Sequence, residues 1–147
     1  MDRKEEPVSP EAPLIILVDD DPDFLEIGAH ALKADGYRVA CFVTPSEALE
    51  QMQRERPRMV ITDLMMKDLD AGFSFSRAIK DDPHLKDTLV VIVTAIGSQR
   101  GFDFRPRTQA DLEAMRADAY LEKPVMPDVL QAKVRELLGK RQGEQKR

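Results

Sequence analysis

Residues 14–21 read LIILVDDD, an apolar run that ends in three consecutive aspartates. A short apolar run of this kind, bounded by polar residues, is typical of a strand that is covered on both faces of a parallel sheet. Apolar side chains then recur at helical spacing from Phe24 to Leu32, and Gly36 is placed to end that helix. The stretch therefore predicts a strand, an acidic turn and a helix in succession.

The same alternation of strand and helix continues along the chain. Further strands are predicted at Arg38–Val43, Met59–Thr62, Leu89–Val93 and Ala119–Leu121. Further helices are predicted around Ala48–Met52, Phe75–Ile79, Ala110–Arg116 and Leu130–Leu138. The second helix has a clear start signal, because Thr44-Pro45-Ser46-Glu47 forms a capping box with proline at the first helical position.

Five strands that alternate with five helices predict an α/β protein with a flavodoxin-like fold. The expected architecture is a doubly wound five-stranded parallel sheet with helices on both faces. Right-handed crossovers favour the strand order 2-1-3-4-5. In such folds ligands bind beyond the carboxyl ends of the strands, near the switch point between the first and third strands. We therefore expect the chemistry at that edge.

Composition limits the class of protein. The chain has 147 residues, 42% hydrophobic and 33% charged, with a net charge of −5 and one cysteine. These values predict a single globular domain of the cytoplasm, with no nucleic acid as partner. No apolar run approaches the ~20 residues that span a bilayer, so no membrane association is expected. We predict a disordered tail at residues 1–12, the domain at 13–139 and a charged tail at 140–147.

Polar side chains follow four of the predicted strands at their carboxyl ends. They are Asp19, Asp20 and Asp21 after the first strand, Asp63 after the third, Thr94 after the fourth and Lys123 after the fifth. Taken singly, each has an ordinary structural explanation, and Asp21, which precedes Pro22, is best interpreted as a helix N-cap. Their joint arrival at one edge of the sheet favours a functional site.

A bound cation would offset the repulsion between these carboxylates. Two carboxylates ~4 Å apart repel by roughly 4 kcal/mol at an effective dielectric constant near 20. Mg²⁺ binds one or two carboxylates, keeps several waters and takes phosphate oxygens. The Lys123 ammonium and the Thr94 hydroxyl can both contact a phosphoryl oxygen. Such a pocket suits phosphoryl transfer, with Asp63 on the central strand as the nucleophile.

At these residues the sequence resembles the receiver domains of response regulators in two-component signalling systems. The resemblance covers roughly Leu14 to Leu138 and is carried by four motifs: 16–20 (ILVDD), 61–66 (ITDLMM), 93–95 (VTA) and 120–124 (YLEKP). It implies a phosphoacceptor switch rather than an enzyme. Asp63 would receive its phosphoryl group from a sensor histidine kinase or a histidine phosphotransfer protein, as in a phosphorelay.

The resemblance also implies roles for individual residues. Those that would hold Mg²⁺ are Asp19, Asp20, Asp63 and the backbone carbonyl of Met65. Thr94 and Lys123 would move onto the phosphoryl oxygens after transfer. Tyr120 stands at the position of the family's switch aromatic, although a half-buried strand tyrosine is its ordinary interpretation. The bond between Lys123 and Pro124 is expected to be cis.

The sequence departs from the family pattern in the loops around the site. Lys67 and Asp68 stand where Pro-Gly is usual, and Ala71 resembles a one-residue insertion. The stretch between Thr94 and Lys123 is longer than usual, with the extra length at 97–107. A tolerated surface insertion and a role in partner docking or in covering the site both remain open for it.

Two apolar residues are expected to tune the lifetime of the phosphorylated state. Met65 and Ile96 lie two positions after Asp63 and Thr94, where the family places side chains that flank the entry of water. Apolar side chains there cannot orient a water molecule by hydrogen bonding. We therefore predict slow loss of the phosphoryl group.

Two further expectations concern function. As a receiver without an output domain, the chain would be a stand-alone member and would signal to an unknown protein target. Its contact face would comprise the fourth helix, the fifth strand and the fifth helix. The protein would be a monomer or a phosphorylation-dependent dimer. The alternative is a phosphatase of the haloacid-dehalogenase type that uses Asp19 and Asp21. That alternative gives Asp63 no role and places Pro22 where Thr or Val is expected.

Overall fold

The computed structural model describes residues 11–63, 71–95 and 117–145. Its strands are β1 (Leu14–Val18), β2 (Arg38–Phe42), β3 (Met59–Asp63), β4 (Leu89–Ala95) and β5 (Ala119–Lys123). The helices within these residues are α1 (Pro22–Ala34), α2 (Pro45–Arg54), α3 (Ala71–Asp81) and α4 (Pro127–Gln145). Thus α4 is the helix predicted last, and the helix predicted at 110–116 lies outside the described residues.

The strands form one sheet in the order β2-β1-β3-β4-β5, and every neighbouring pair is parallel. This confirms the predicted flavodoxin-like order 2-1-3-4-5. Because all strands run in one direction, their carboxyl ends share one edge of the sheet. At that edge Asp63 pairs in register with Val93, and Ala95 pairs with Lys123. The register therefore brings the ends of β3, β4 and β5 side by side.

Successive residues of the central strands point to opposite faces of the sheet, and both faces are covered. One face packs against α2 and α3 through a cluster that includes Ile16, Val60, Ile92, Met52 and Phe75. The other packs against α1 and α4 through a cluster that includes Leu17, Ile61, Val91, Leu32 and Leu130. Full burial of such a side chain contributes about 1.5–3 kcal/mol, which explains why these strands are apolar throughout.

The helix α1 begins and ends where the sequence predicts. The Asp21 carboxylate accepts a hydrogen bond from the Asp23 amide at 3.0 Å, and Pro22 occupies the first helical position. Gly28 lies so close to β1 that a Cβ atom there would be 3.1 Å from Leu17 Cδ1. Beyond the helix, Gly36 has a φ of 95°, a backbone conformation that glycine adopts without steric cost.

The cap of α2 is confirmed, whereas β2 is shorter than predicted. The Thr44 hydroxyl oxygen accepts a hydrogen bond from the Glu47 amide at 3.4 Å. The strand β2 ends at Phe42, and Val43 lies outside it with 50% of its surface exposed. The chain must turn at Val43 to bring Thr44 into the cap, which removes this residue from the strand.

The C-terminal helix α4 is fastened to α1 by polar side chains. Gln131 donates a hydrogen bond to the Ala31 carbonyl at 2.8 Å, and Arg135 pairs with Asp35 at 3.0 Å. The helix continues to Gln145, past Gly139, where the sequence predicted the domain to end and a charged tail to begin. A glycine inside a helix costs only about 1 kcal/mol, and Lys, Arg, Gln and Glu around it favour the helix. No helix among the described residues is long and apolar enough to cross a membrane.

Candidate functional site

Three carboxylates converge at the carboxyl edge of the sheet. Asp19 and Asp20 follow β1, and Asp63 is the last residue of β3, its direct neighbour in the sheet. One oxygen atom from each of them lies within 4.8 Å of the others. Asp19 and Asp63 are buried, while Asp20 is exposed. The cluster predicted from the strand ends is therefore present.

Asp19 is the most deeply buried member of this acidic cluster, with no exposed surface. Its Oδ1 atom accepts a hydrogen bond from the Asp21 amide at 2.9 Å, and its Oδ2 atom lies 2.9 Å from Lys123 Nζ. Burial raises the pKa of the Asp19 carboxyl above its ordinary value, although Lys123 and the Asp21 amide partly offset that effect.

Lys123 supplies the positive charge of the site. Its Nζ atom lies 2.9 Å from Asp19 Oδ2 and 3.3 Å from Asp63 Oδ2, so it bridges the two buried carboxylates. Burial on its own would lower the pKa of the ammonium group. The contacts with Asp19 and Asp63 outweigh burial and raise the pKa of Lys123 above its ordinary value. The side chain is therefore charged at neutral pH.

An aromatic ring also lies close to the Lys123 ammonium. Nζ lies 5.2 Å from the centre of the Phe24 ring, within the range of a cation–π contact. Phe24 belongs to the first turn of α1 and also packs against the apolar cluster on the α1 side of the sheet. The sequence indicated only that Phe24 contributes to an apolar helix face. Helical periodicity does not reveal a contact between a helix residue and a residue of a strand far away in sequence.

The acidic cluster fits a divalent cation. Within the described part of the chain, the buried Asp19 Oδ2 atom has the Lys123 ammonium at 2.9 Å and no hydrogen bond of regular geometry. Hard cations such as Mg²⁺ prefer carboxylate oxygens, and this oxygen can accept a further positive partner. Asp19, Asp20 and Asp63 would hold the ion. Met65, predicted to add a backbone carbonyl, lies outside the described residues.

Asp21 lies next to this cluster in sequence but has a different role. It is exposed, and its Oδ1 atom caps α1 through the Asp23 amide. The group of carboxylates that could share one ion contains Asp19, Asp20 and Asp63, not Asp21. This arrangement agrees with the N-cap interpretation and gives no support to a catalytic pair of Asp19 and Asp21.

The predicted switch residues are described in part. Thr94 lies in β4, paired in register with Glu122, and its side chain is outside the described part of the structure. Tyr120 is half-buried and packs against the apolar cluster on the α2 side, and its hydroxyl donates a hydrogen bond to Glu122 Oε2 at 2.5 Å. The bond between Lys123 and Pro124 is cis, as predicted.

Several predictions fall on residues outside the described ranges. They concern Met65, Lys67, Asp68, Ile96 and the insertion at 97–107. Their proposed effects on loop rigidity, phosphoryl lifetime and partner docking stay predictions.

Comparison with known proteins identifies the family. The family model of the response regulator receiver domain matches residues 15–135. The chain belongs to the response regulator receiver family. Receiver domains bind Mg²⁺ at an acidic pocket and receive phosphoryl groups from histidine kinases or phosphotransfer proteins, and this structure has an acidic group of Asp19, Asp20 and Asp63.

The receiver is similar to proteins of several organisms. It is 32% identical over 140 residues to the response regulator Rre1 of Synechocystis sp., a match that covers 93% of this chain and 54% of that protein. The chain spans about half the length of the first curated relatives that it matches.

Solved structures of receiver domains are matched over nearly their whole length. A CheY-like receiver domain protein of Methanospirillum hungatei is 26% identical with a TM-score of 0.72, and the match covers 91% of this chain and 99% of that one. The chemotaxis response regulator CheY4 of Vibrio cholerae is 25% identical with a TM-score of 0.71, over 85% and 98% of the two chains. These matches confirm the predicted fold and family.

Proposed function

We propose that this receiver accepts a phosphoryl group on Asp63 from a phosphohistidine of a sensor histidine kinase or of a histidine phosphotransfer protein. The observation that carries the proposal is the acidic cluster, in which oxygens of Asp19, Asp20 and Asp63 lie within 4.8 Å of one another. Lys123 bridges two of these carboxylates at the same edge of the sheet. Carboxylates, a charged lysine and a fitting cation site are the parts that phosphoryl transfer requires.

Asp63 is favoured as the acceptor by its position. Asp19 has no exposed surface, and both of its oxygens face protein groups, the Asp21 amide and the Lys123 ammonium. Asp63 retains 6% exposure and ends β3, which lies between β1 and β4 in the middle of the sheet. A phosphoryl donor that approaches the edge of the sheet therefore has better access to Asp63 than to Asp19.

Transfer would proceed by in-line displacement. A carboxylate oxygen of Asp63 attacks the phosphorus, a phosphorus–oxygen bond forms, and the phosphorus–nitrogen bond to the donor imidazole breaks with its electron pair returning to nitrogen. Lys123, held beside the acceptor, neutralises charge on the phosphoryl oxygens. When bound, Mg²⁺ would supply further neutralisation of those oxygens.

The phosphorylated state would act on the surface of the domain. At neutral pH the phosphoryl group carries about 1.5–2 negative charges in place of the single charge of the free carboxylate, and its oxygens would attract Lys123 and the Thr94 hydroxyl. That shift would favour one of two conformations of the predicted contact face, which comprises β5, α4 and the helix predicted at 110–116, with Tyr120 as the switch side chain. Signalling to a downstream protein would follow from the altered contact face.

Intact-mass spectrometry after incubation with acetyl phosphate and Mg²⁺ tests the assignment of Asp63. The parent should gain one phosphoryl group, Asp63→Asn should gain none, and Asp19→Asn should gain it at a much reduced rate. Ile27→Ala, a change of an exposed side chain on α1, serves as the control and should match the parent. Phosphorylation of Asp63→Asn at the parental rate would overturn the assignment. Hydrolysis of a phosphate ester that depends on Asp19 but not on Asp63 would favour a phosphatase.

A further inference from the structure

Phe24 brings an aromatic ring close to the charged centre of the site. Its ring centre lies 5.2 Å from Lys123 Nζ, the atom that also contacts the two buried carboxylates. The ring comes from α1, on the far side of the acidic turn from β1, and Lys123 comes from the end of β5. Two elements distant in sequence thus meet at one ammonium group.

The surroundings of Lys123 Nζ include two carboxylate oxygens and one aromatic ring. Asp19 Oδ2 at 2.9 Å and Asp63 Oδ2 at 3.3 Å attract the ammonium, and the centre of the Phe24 ring lies 5.2 Å from it. The Lys123 side chain is only 22% exposed, so the ring takes the place of water that would otherwise solvate the charge. A partly desolvated cation–π contact is stronger than one at an exposed site.

Lysine alone is poorly suited to hold a fixed position. Its flexible stem of four carbons carries a point charge and has large rotamer entropy. The π-face of an aromatic ring attracts a cation electrostatically, which an aliphatic side chain of similar volume cannot do. Phe24 is partly buried and packs against the apolar cluster on the α1 side, which restricts the position of the ring.

We infer that Phe24 is a positioning residue for phosphoryl transfer, whose ring holds the Lys123 ammonium beside the acceptor carboxylate of Asp63. The inference rests on the proposed function and adds a residue to it. Phe24 acts through Lys123 and need not touch the phosphoryl group.

Aromatic and aliphatic replacements separate this role from packing. With acetyl phosphate and Mg²⁺, Phe24→Leu should slow phosphorylation of Asp63 about three- to tenfold, while Phe24→Tyr should restore the rate to within about twofold of the parent. Phe24→Met gives the same comparison if Phe24→Leu does not fold, and circular dichroism establishes folding for each variant. Equal rates for the aliphatic and aromatic variants would overturn the inference.

A double-mutant cycle with Lys123→Gln provides the second test. Glutamine removes the charge on which the ring acts, so Phe24→Leu should slow phosphorylation less than about 1.5-fold in that background. The same loss in both backgrounds would mean that Phe24 acts by packing alone. A parent that gains no phosphoryl group on Asp63 would overturn the proposed function itself, whereas a phosphorylated parent with a fully active Phe24→Leu variant would overturn only this inference.

Discussion

The ammonium of Lys123 lies 2.9 Å from Oδ2 of Asp19, a carboxylate with no exposed surface, although β3 and β4 separate their strands in the sheet. The long lysine side chain therefore reaches over the end of β3, where it also approaches Asp63 to 3.3 Å. In this state the lysine supplies positive charge to the same carboxylates that fit a divalent cation. A bound cation would thus interact with the same oxygens as the lysine.

Removal of the lysine charge should strengthen Mg²⁺ binding. In Lys123→Gln no ammonium repels the incoming cation or occupies Asp19 Oδ2, so the dissociation constant for Mg²⁺ should fall about tenfold, equivalent to ~1.4 kcal/mol. Isothermal titration calorimetry of parent and variant measures the change directly. Lys133→Gln, which alters a surface lysine paired with Glu136, provides the control and should leave the dissociation constant unchanged. Weaker binding by Lys123→Gln would show that the lysine supports the ion.

Neutralising Asp19 should stabilise the Mg²⁺-free protein at neutral pH. Burial raises the pKa of this carboxyl in the folded state above its ordinary value of 3.8. The folded state therefore holds the proton of Asp19 more tightly than the unfolded chain does. As the pH rises through the folded pKa the carboxyl ionises, and the free energy of unfolding decreases. Asp19→Asn keeps an oxygen for the Asp21 amide and removes the buried charge. We expect its free energy of unfolding at pH 7 to exceed that of the parent by about 1 kcal/mol.

The pH dependence of this difference is the diagnostic measurement. Urea unfolding followed by circular dichroism, with chelator present, should show the advantage of Asp19→Asn shrinking as the pH falls toward 4. Asp82 provides a control whose pKa shift has the opposite direction. Hydrogen bonds from the Gln53 side chain and from the His84 amide lower the pKa of its carboxyl. Asp82→Asn should destabilise the protein at neutral pH, and that loss should disappear in acid. An advantage of Asp19→Asn that is the same at every pH would contradict the electrostatic explanation.

The local chemistry of the sequence was sufficient to predict the sheet and its edge. The apolar run at 14–18 and the aspartates behind it predict a buried strand and an acidic rim, and β1 with Asp19 and Asp20 confirms both. Helix starts were predictable because a cap is local: Asp21 and Thr44 each accept a hydrogen bond from an amide two or three residues later. Such contacts depend on neighbours in sequence alone.

What could not be predicted depends on contacts between distant elements. Helical periodicity placed Phe24 on an apolar face, but only the fold brings the start of α1 and the end of β5 to the same edge of the sheet, where the ring lies 5.2 Å from Lys123 Nζ. The extension of α4 past Gly139 was missed because a glycine followed by charged residues is also typical of a helix end. In the same way, the hydrogen bond from Tyr120 to Glu122 joins two strand residues whose side-chain rotamers no sequence pattern specifies.

The close packing of α1 on the sheet should make Gly28 intolerant of branched side chains. A Cβ atom there would lie 3.1 Å from Leu17 Cδ1 and 3.5 Å from Leu130 Cδ2, with β1 and α4 on either side. Gly28→Val should therefore lower the free energy of unfolding by about 1–3 kcal/mol through overpacking. Gly139, inside α4, offers a matched control, because a Cβ atom added there would meet nothing within 4 Å among the described residues. Gly139→Val should be neutral or slightly stabilising. Thermal unfolding of the parent and of both variants measures the two changes in stability.

Asp20 and Asp21 are adjacent in sequence but should respond to substitution in opposite ways. Asp21→Ala removes the carboxylate that caps α1 and should cost about 1 kcal/mol of stability, while Mg²⁺ affinity and phosphorylation of Asp63 are retained. Asp20→Ala removes an exposed carboxylate of the acidic cluster, so it should weaken Mg²⁺ binding at least tenfold with little loss of stability. Calorimetric titration measures the Mg²⁺ affinity of each variant, and urea unfolding measures its stability. Loss of phosphorylation in a folded Asp21→Ala variant would contradict the capping role and revive a catalytic pair of Asp19 and Asp21.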